Sequence, residues 1–176
     1  ENIIVLNMIG FRNDYSIAVK EEFAINNNIN TIQDLVPYAS EMRFGSDLVF
    51  HEREDGLPRL RSVYDLQFKE VRPMSPTLMY EAIKNNEVDA VPPYTTDARI
   101  DLYDLRVLED EKASLPPYHA ILFISPKVNQ NPDMVNALNI LDDLIDTDTM
   151  RALNYKFDVE KKNADTIAKE FLIEMG

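Results

Sequence analysis

Short apolar runs alternate with amphipathic segments along most of the chain. The branched run IIVLNMI at 3–9 has the composition of a buried strand, and YSIAV at 15–19 repeats the pattern. Strands are also predicted at 42–46, 68–74, 88–91, 105–110 and 120–124. Strands that alternate with helices are typical of an α/β fold, and we expect a largely parallel sheet flanked by helices.

Capping residues mark where the intervening helices begin. Thr31 precedes Asp34 by the spacing of a capping box, and Pro37 should shorten or kink the helix that follows. Ser75 before Pro76 predicts another helix start. Helices are also predicted at 55–65, 95–103, 132–145, 148–157 and 163–175.

The end of the chain differs from its middle. Three predicted helices follow one another there, and Asn163 is a suitable cap for the last of them. The composition changes near 108–118, where EDEKASLPP interrupts the pattern of strands and helices. We interpret this change as a crossover between two structural units.

Composition and charge exclude several classes of function. The 176 residues include no cysteine, so disulfides, thiolate nucleophiles and cysteine-based metal sites are excluded. The formal charge of −13 disfavours nucleic acids and anionic membrane surfaces as partners. No apolar run reaches the roughly 18–20 residues of a membrane span, and no signal peptide is visible, so we expect a trimmed piece of a longer protein.

Catalytic and cofactor motifs are also absent from the sequence. The two histidines, His51 and His119, have no metal-ligand spacing, and four glycines leave no phosphate-binding or dinucleotide fingerprint. The seven methionines fit core positions better than metal sites. We therefore predict no enzyme activity, no cofactor and no metal. The alternative is an enzyme that uses His51 or His119 as a base.

A stiff loop presents one tyrosine after a predicted strand. In VPPYTTDA at 91–98 two prolines precede Tyr94, and Thr95, Thr96 and Asp97 follow where a helix should begin. Ligands of open α/β sheets bind outside the carboxyl ends of strands, near helix N-termini, so these residues are candidates for a site. The alternative is that a threonine only caps the helix while Tyr94 packs against the core.

Two further loops carry tyrosines in similar positions. Tyr118 follows two prolines in LPPYHA, and Tyr15 begins a strand after the polar turn of Asn13 and Asp14. Ordinary turn chemistry also explains both loops. Several electron-rich rings around one quaternary ammonium would each attract it by roughly 0.5–2 kcal/mol. The charged stretch FHEREDGLPRL at 50–60 is better interpreted as a solvated, self-paired surface loop.

The order of the motifs resembles a known family. The series runs through GFRNDYSIAV, FGSDLVFHEREDGLPRLRSVYDLQFKEV, AIKNNEVDAVPPYTTDARI, LYDLRVLEDEKASLPPYHAILFI and LNYKFDVEKKNADTIAKEFL. Taken together, these segments resemble the substrate-binding proteins of osmoprotectant-type ABC importers. The resemblance implies a two-lobed, type II periplasmic-binding-protein fold. It also implies a ligand such as choline, glycine betaine or carnitine, or ergothioneine in relatives fused to their permease.

The resemblance assigns roles to the tyrosine loops. It implies that Tyr15, Tyr94 and Tyr118 are members of an aromatic cage, with Asn13 as a polar partner for a ligand carboxylate or hydroxyl. Thr95, Thr96 and Asp97 would form the polar loop beside the second tyrosine. The prolines before two of these rings would limit the conformational freedom lost on binding.

The sequence departs from the family pattern in two places near this site. Pro92 and Pro93 stand where many relatives carry Asp-Ala, and Arg12 occupies a turn where small or amide residues are usual. An arginine would disfavour a cationic head group unless it faces a carboxylate. Both departures fit a zwitterionic ligand better than choline.

Length is the larger departure. The family's first lobe normally precedes the segment that begins VLNMIGF, so we expect that about one domain's worth of sequence is missing. Residues 10–104 would form the complete second lobe, with 1–9 and 105–176 supplying hinge strands and the C-terminal portion of the first lobe. That portion would need the missing lobe or a second chain as a partner.

These expectations define a function. We predict an extracytoplasmic, membrane-associated solute-binding domain, either a lipoprotein or fused to a permease, that delivers a quaternary amine or betaine to an ABC permease. A ligand-sensing module on the same fold is the alternative, and the sequence preceding the chain in its gene would distinguish the two.

Overall fold

The computed structural model describes residues 3–176 and divides into two compact units. Tyr15–Pro116 form what we call the continuous unit, and Glu1–Asp14 with Pro117–Gly176 form the split unit. The prediction that these units correspond to a complete second lobe and to part of the first stays a prediction. None of the described helices has the length and apolar character needed to cross a membrane.

Seven strands and ten helices make up the described part of the chain. The strands are β1 (Ile4–Arg12), β2 (Ile17–Lys20), β3 (Arg43–Ser46), β4 (Glu70–Pro73), β5 (Ala90–Val91), β6 (Leu105–Leu108) and β7 (His119–Ile124). The helices are α1 (Glu21–Asn27), α2 (Ile32–Ala39), α3 (Leu48–Glu52), α4 (Leu57–Tyr64), α5 (Pro76–Lys84), α6 (Arg99–Leu102), α7 (Pro126–Asn129), α8 (Pro132–Asn139), α9 (Thr147–Asp158) and α10 (Ala164–Met175).

The continuous unit contains a five-stranded sheet in the order β4-β3-β5-β2-β6. The pairings of β3 with β4 and with β5 are parallel, whereas β2 is antiparallel to both β5 and β6. The α/β class is confirmed, but the sheet is mixed and not largely parallel. Short buried strands have the same apolar pattern in either direction, so the pattern could not show that β2 runs against its neighbours.

This topology brings five chain segments to one end of the sheet, where β3, β4 and β5 finish. The carboxyl ends of β3, β4 and β5 lie there because these strands run parallel, and the start of β2 joins them because it runs the opposite way. The last residue of β6 also lies at this end of the sheet, where the Ser16 hydroxyl donates to the Leu108 carbonyl at 3.0 Å. The opposite direction of β2 thus places Tyr15, just before β2, beside the loop that follows β5.

Local capping chemistry explains where several helices begin. The predicted box is present: the Thr31 hydroxyl accepts from the Asp34 N–H at 3.1 Å, and the Asp34 carboxylate accepts from the Thr31 N–H at 2.9 Å. Ser75 and Asn163 cap α5 and α10, also as predicted. Pro37 lies inside α2, which ends at Ala39.

Two predicted helices are wrong in extent. The helix expected at 95–103 spans only α6, and its N-cap is Ala98 without a side-chain bond, so neither threonine caps it. The helix expected at 132–145 ends at Asn139 with α8. Asp143 has a left-handed backbone (φ 51°), and Ile145 donates its N–H to the Ile9 carbonyl at 3.1 Å, so this segment follows β1 and does not continue the helix.

The split unit is built around a two-stranded ribbon. β1 and β7 pair antiparallel, with Val5 opposite Phe123 and Met8 opposite Ile121. Helices α7–α10 follow β7 along the chain. Helix α10 buries Ile167 and Phe171, whereas α7, α8 and α9 bury no residue completely.

Candidate functional site

Tyr15 and Tyr94 meet at the end of the sheet where β2 begins and β5 ends. Their backbones form an antiparallel bridge, and the Ser16 N–H donates to the Pro93 carbonyl at 3.1 Å. The ring centroids are 4.3 Å apart with the planes tilted by 32°. The two hydroxyl oxygens lie 2.6 Å apart and share a hydrogen bond. The structure therefore brings together two of the three predicted cage tyrosines within the continuous unit.

A third aromatic ring, which the sequence interpretation missed, supports this pair. Phe50 lies on α3 with its ring centroid 4.8 Å from that of Tyr15. Asp47 caps this helix, because its carboxylate accepts the Phe50 N–H at 2.9 Å. Gly56 lies so close that an added Cβ would be 2.3 Å from the Phe50 carbonyl oxygen, so a side chain there would displace α3.

The environment of Tyr15 keeps its phenol neutral. Burial raises the pKa of Tyr15 far above its ordinary value, and the hydrogen bond with Tyr94 and the negative charge of Asp47 act in the same direction. The positive charge of Arg53 opposes them more weakly. A neutral phenol keeps an uncharged, electron-rich ring at any physiological pH, which suits an attraction to cations through the ring faces.

The three rings differ in how much surface they offer. Tyr15 is 8% exposed and Phe50 only 1%, whereas Tyr94 is 38% exposed. Tyr94 is therefore the ring that solvent or a solute reaches most directly. Pro92 and Pro93 before it are both buried, and with the backbone bridge they fix the position from which Tyr94 projects.

The polar residues after Tyr94 form a turn that holds the ring in place. The Asp97 N–H donates to the Tyr94 carbonyl at 3.0 Å. The Asp97 carboxylate accepts from the Arg99 guanidinium at 2.6 and 2.9 Å. Burial acts to raise the pKa of Asp97, but the bonds from Arg99 outweigh it and lower the pKa overall. Thr96 is buried and Thr95 half-buried. That these three residues contact a ligand stays a prediction.

Asn13 and Tyr118 lie together in the split unit. The Asn13 N–H donates to the Tyr118 carbonyl at 2.9 Å, and the Tyr118 N–H donates to the Asp14 carboxylate at 2.6 Å. The same carboxylate forms an ion pair with Arg12 at 3.1 Å. Arg12 thus faces a carboxylate of its own loop, which removes the objection that its charge would act unopposed on a cationic ligand. The ligand roles of Asn13 and Tyr118 stay predictions.

The charged stretch at 50–60 combines two kinds of residue. Arg53 and Asp55 form an ion pair with N–O distances of 2.5 and 2.8 Å, which confirms the self-paired interpretation. Phe50 at its head, however, belongs to the aromatic cluster. The sequence carries a local signal for the start of α3, because Asp47 stands three residues before Phe50 at N-cap spacing, but none for the contact between Phe50 and Tyr15.

A cavity in the continuous unit lies at the opposite end of the sheet. It has a volume of about 400 Å³ and is lined by residues including Lys20, Arg43 and Asp89. Arg43 forms two bonds to Asp89, at 2.8 and 2.9 Å, and the Lys20 ammonium donates to Asn86 at 2.6 Å. These charged groups are already bonded to protein partners, so the end of the sheet that carries Tyr15 and Tyr94 is the better candidate for a ligand site. No cluster of metal-ligating side chains occurs among residues 3–176.

Comparison with known proteins identifies the family. The model for the OpuAC family, the substrate-binding domain of ABC-type glycine betaine transport systems, matches residues 1–174. The chain is 34% identical over 176 residues to the ergothioneine transport permease/ergothioneine binding protein EgtU of Helicobacter pylori, covering 99% of this chain and 32% of that protein. It is 36% identical to the carnitine transport binding protein OpuCC of Listeria monocytogenes, covering 93% of this chain and 54% of that protein.

A solved structure agrees with both the sequence matches and the fold. The crystal structure of a glycine betaine/carnitine/choline ABC transporter superposes with a TM-score of 0.90 at 34% identity, over 98% of this chain and 64% of that one. The expected periplasmic-binding-protein-like fold is confirmed. The chain spans only about one third to two thirds of the length of these relatives. The chain belongs to the OpuAC family of substrate-binding domains.

Proposed function

We propose that this chain is the solute-binding part of an ABC importer and binds a small quaternary ammonium or betaine compound for delivery to a permease. The observation that carries the proposal is the pair of tyrosine rings at the end of the sheet, Tyr15 with Tyr94, backed by Phe50. The family match supports a solute-binding role. No chemical step is part of this proposal.

The geometry suits a cation that cannot donate hydrogen bonds. A quaternary ammonium has no N–H, so it gains little from a carboxylate alone and more from ring faces. Tyr94 offers an accessible ring, which contacts the ring of Tyr15 and is tied to it by the hydrogen bond between the two hydroxyls. The acidic Asp47 beside Tyr15 and the net charge of −13 add a long-range attraction for cations. The expected binding energy therefore comes from a rigid ring held in place before the solute arrives.

The split unit would contribute the remaining predicted ligand residues. We propose that Tyr118 adds a ring and that Asn13 donates its amide to a ligand carboxylate or hydroxyl. Thr95, Thr96 and Asp97 would contribute through the turn after Tyr94. A zwitterion fits this set better than choline, because the family's Asp-Ala is replaced by Pro92 and Pro93.

The partners and the location follow from the same proposal. A permease would receive the solute, and the protein would work outside the cytoplasm at the cell membrane. The H. pylori relative is named as both permease and binding protein, and this chain covers only 32% of it. The L. monocytogenes relative is named only as a binding protein, so the proposal includes both a permease-fused domain and a separate lipoprotein. The part of the family fold outside the matched region would complete the binding site.

Ergothioneine is a second candidate ligand. The ergothioneine-binding relative matches 99% of this chain. Ergothioneine is a betaine of histidine and offers the same trimethylammonium group to the rings, so the proposed aromatic contact would not distinguish it from glycine betaine. The two candidates differ in the polar groups they require, which a ligand panel can separate.

Calorimetry on a completed protein tests the proposal. The unmatched part of the 34% identical solved relative would be fused to this chain. Glycine betaine, carnitine, choline and ergothioneine would each be titrated, with glycine as a control that lacks the quaternary group. We expect Tyr94→Ala to weaken binding by about 2- to 30-fold, because one ring is worth about 0.5–2 kcal/mol.

A matched variant separates the site from general effects. Tyr38 packs edge-on against Phe23 at 5.8 Å, at the other end of the continuous unit. Tyr38→Ala should leave the affinity unchanged while removing a ring of the same size. Heat from none of the four solutes, or equal losses in both variants, would refute the proposed function.

A further inference from the structure

Arg99 connects the turn after Tyr94 to the buried core of the continuous unit. Its guanidinium carbon lies 4.0 Å from the ring centroid of Tyr80 on α5, within the range of a cation–π contact. Two of its guanidinium nitrogens donate to the two carboxylate oxygens of Asp97, at 2.9 and 2.6 Å. A planar guanidinium that stacks on a ring and binds a carboxylate through two N–H groups makes an arrangement that a lysine could not reproduce.

Tyr80 gives this connection a firm base. Its side chain is buried in a cluster that also contains Ile83, Val91 and Ile100. Burial is the main cause that raises the pKa of Tyr80, and the negative charge of Asp97 acts in the same direction. The Asp97 side chain, only 14% exposed, therefore lies close to both the buried phenol and the guanidinium.

The backbone of Asp97 extends the connection to the candidate site. The Asp97 N–H donates to the Tyr94 carbonyl at 3.0 Å, and the Ile100 N–H donates to the Asp97 carbonyl at 3.1 Å. The Arg99 N–H also donates to the Asp97 carboxylate, at 2.9 Å. Asp97 thus closes the turn after Tyr94 and joins it to α6, so a displacement of Asp97 would move the backbone that carries the tyrosine.

We propose that Arg99 is a positioning residue for the candidate site: it holds Asp97 beside Tyr80, fixes the turn from which Tyr94 projects, and so raises the affinity for a quaternary amine without contacting it. Tyr94 is more exposed than Tyr15, so its position depends more on its own turn. A ring that is held before the solute arrives loses little freedom on binding. The inference rests on the proposed function, since the turn matters for binding only if Tyr94 contacts a solute.

Hydrogen exchange tests the first step without any ligand. Arg99→Lys keeps the positive charge but loses the fork of N–H groups that binds Asp97. The amides of Asp97 and Ser16 donate to the Tyr94 and Pro93 carbonyls and hold this loop. We expect both amides to exchange about 10-fold faster in the substituted 176-residue chain, because the loop opens more often. Unchanged exchange of the β3 amides would show that the sheet remains folded.

A matched arginine in the same unit is the control. Arg72 binds the Glu70 carboxylate through two nitrogens, both at 2.8 Å, and stands two residues from its partner, as Arg99 does. Arg72→Lys should lose a pair of the same kind on β4, yet leave unchanged both the exchange of the Asp97 amide and the affinity for quaternary amines. Equal changes in the two variants would make Arg99 one more surface ion pair and would overturn the proposal.

A double-mutant cycle tests the second step. Calorimetry on the fusion described above would compare Arg99→Lys, Tyr94→Ala and the double variant, with glycine betaine, carnitine, choline and ergothioneine as probes. We expect Arg99→Lys to weaken binding by about 2- to 10-fold, the effect of ordering one side chain, while the Tyr94 ring is present. It should have no further effect once Tyr94 is alanine. A purely structural role of Arg99 would not depend on the ring in this way.

The outcomes separate this inference from the proposed function. Unchanged exchange of the Asp97 amide in Arg99→Lys would overturn the positioning role. An equal loss of affinity with and without the Tyr94 ring would also overturn it, because Arg99 would then act on the solute directly. Faster exchange with unchanged affinity would overturn the inference and leave the proposed function intact. Binding of none of the four solutes would refute the proposed function, and with it the effect of Arg99 on affinity.

Discussion

The two units of this chain use the same kind of apolar strand with different results. In the continuous unit five strands enclose side chains such as Phe44 and Ile17 that are fully buried, and both edge strands are charged. In the split unit two strands of similar composition leave one face exposed, and three of the four helices bury nothing completely. The composition of the strands therefore does not determine whether the core of a unit is closed, because closure also requires enough neighbouring helices and strands.

The same contrast bears on the candidate site. Tyr15 and Tyr94 are held by a backbone bridge, a hydroxyl hydrogen bond and the ring of Phe50, all inside the unit with the closed core. Tyr118 follows a loop tied to Asp14 in the unit with the open face. The tyrosine pair is therefore expected to keep its geometry in the chain as it stands, whereas the surroundings of Tyr118 depend on how the split unit is completed.

The largest predicted effect tests the closed core directly. Phe44 is fully buried, with its ring stacked on Phe68 at a centroid distance of 4.4 Å. Phe44→Ala should destabilise the continuous unit by about 3–5 kcal/mol, because it removes buried apolar surface and leaves a cavity. Urea unfolding followed by hydrogen exchange at the β3 amides would measure the loss for this unit alone, without assuming that both units unfold together.

The matched substitution in the split unit is Phe123→Ala. Its ring is already 59% exposed, so in the chain alone we expect a change within about 0.5 kcal/mol. Equal costs for Phe44→Ala and Phe123→Ala would break the contrast between the units, since they would mean that the ribbon already has a closed core.

The next largest effect concerns a carboxylate that fixes the end of the continuous unit. Asp110 accepts from the Tyr64 hydroxyl at 2.5 Å, from the Leu115 N–H at 2.7 Å and from the Ser114 hydroxyl at 3.0 Å. Burial acts to raise the pKa of Asp110, but these bonds outweigh it and the pKa is lowered. Asp110→Asn should cost about 1–3 kcal/mol at pH 7, because bonds to a charged acceptor are lost.

The sign of the pH dependence follows from that lowered pKa. Above the ordinary carboxyl pKa of about 4 the ionised Asp110 contributes its full stability, and this contribution is lost as pH falls through the lower folded value. The free energy of unfolding, measured at pH 7, 5 and 3, should therefore fall less for Asp110→Asn than for the unchanged chain. Asp148→Asn is the control, because its ion pair with Arg151 lies in the split unit and Asp148 is exposed. An equal fall in all three proteins would contradict the assignment.

Much of the fold was predictable because it depends on short-range chemistry. The box of Thr31 with Asp34 and the caps at Ser75 and Asn163 act over three or four residues, and all are confirmed. Helix α1 was missed because Lys20 precedes it without a side-chain cap, so no start signal exists. The direction of β2 was missed because it depends on pairing with strands some 70 to 90 residues away, which a local pattern does not encode.

The candidate site divides in the same way. The loops that position Tyr94 and Tyr118 could be recognised from their prolines, and the pairing of Tyr94 with Tyr15 agrees with the expectation of a shared site. The contact of Phe50 with Tyr15 could not be predicted, because it joins α3 to the residues before β2, 35 positions away. The use of the Asp97 carboxylate by Arg99, only two residues on, was a local signal that was overlooked.

Helix caps provide a smaller test of how far each unit is cooperative. Thr31→Ala and Asn163→Ala each remove one cap, worth about 1 kcal/mol. In the closed continuous unit we expect Thr31→Ala to lower the stability of the whole unit. In the split unit Asn163→Ala should only fray α10, since little core connects that helix to the rest. Exchange measured amide by amide separates the outcomes, and a global effect of Asn163→Ala would show that the split unit is more cooperative than its open face suggests.

The smallest predicted effect measures how firmly the tyrosine pair is held. Tyr15→Phe and Tyr94→Phe each remove one hydroxyl of the 2.6 Å bond while keeping both rings. Tyr15 is the more buried partner. Tyr15→Phe should lower the free energy of unfolding by about 0.5–1.5 kcal/mol, which is less than the loss of a whole ring would cost. The double variant should cost no more than the larger single variant, because both substitutions break the same bond.

The same double-mutant cycle, repeated with ligand, connects the pair to binding. A rigid Tyr94 binds a quaternary amine without losing freedom, so breaking the hydroxyl bond should weaken binding by the same modest factor in either single variant. Full additivity of the two substitutions, in stability and in affinity, would mean that the hydroxyls act separately. Tyr94 would then bind solute independently of Tyr15, and the closed unit would supply only a position for the ring.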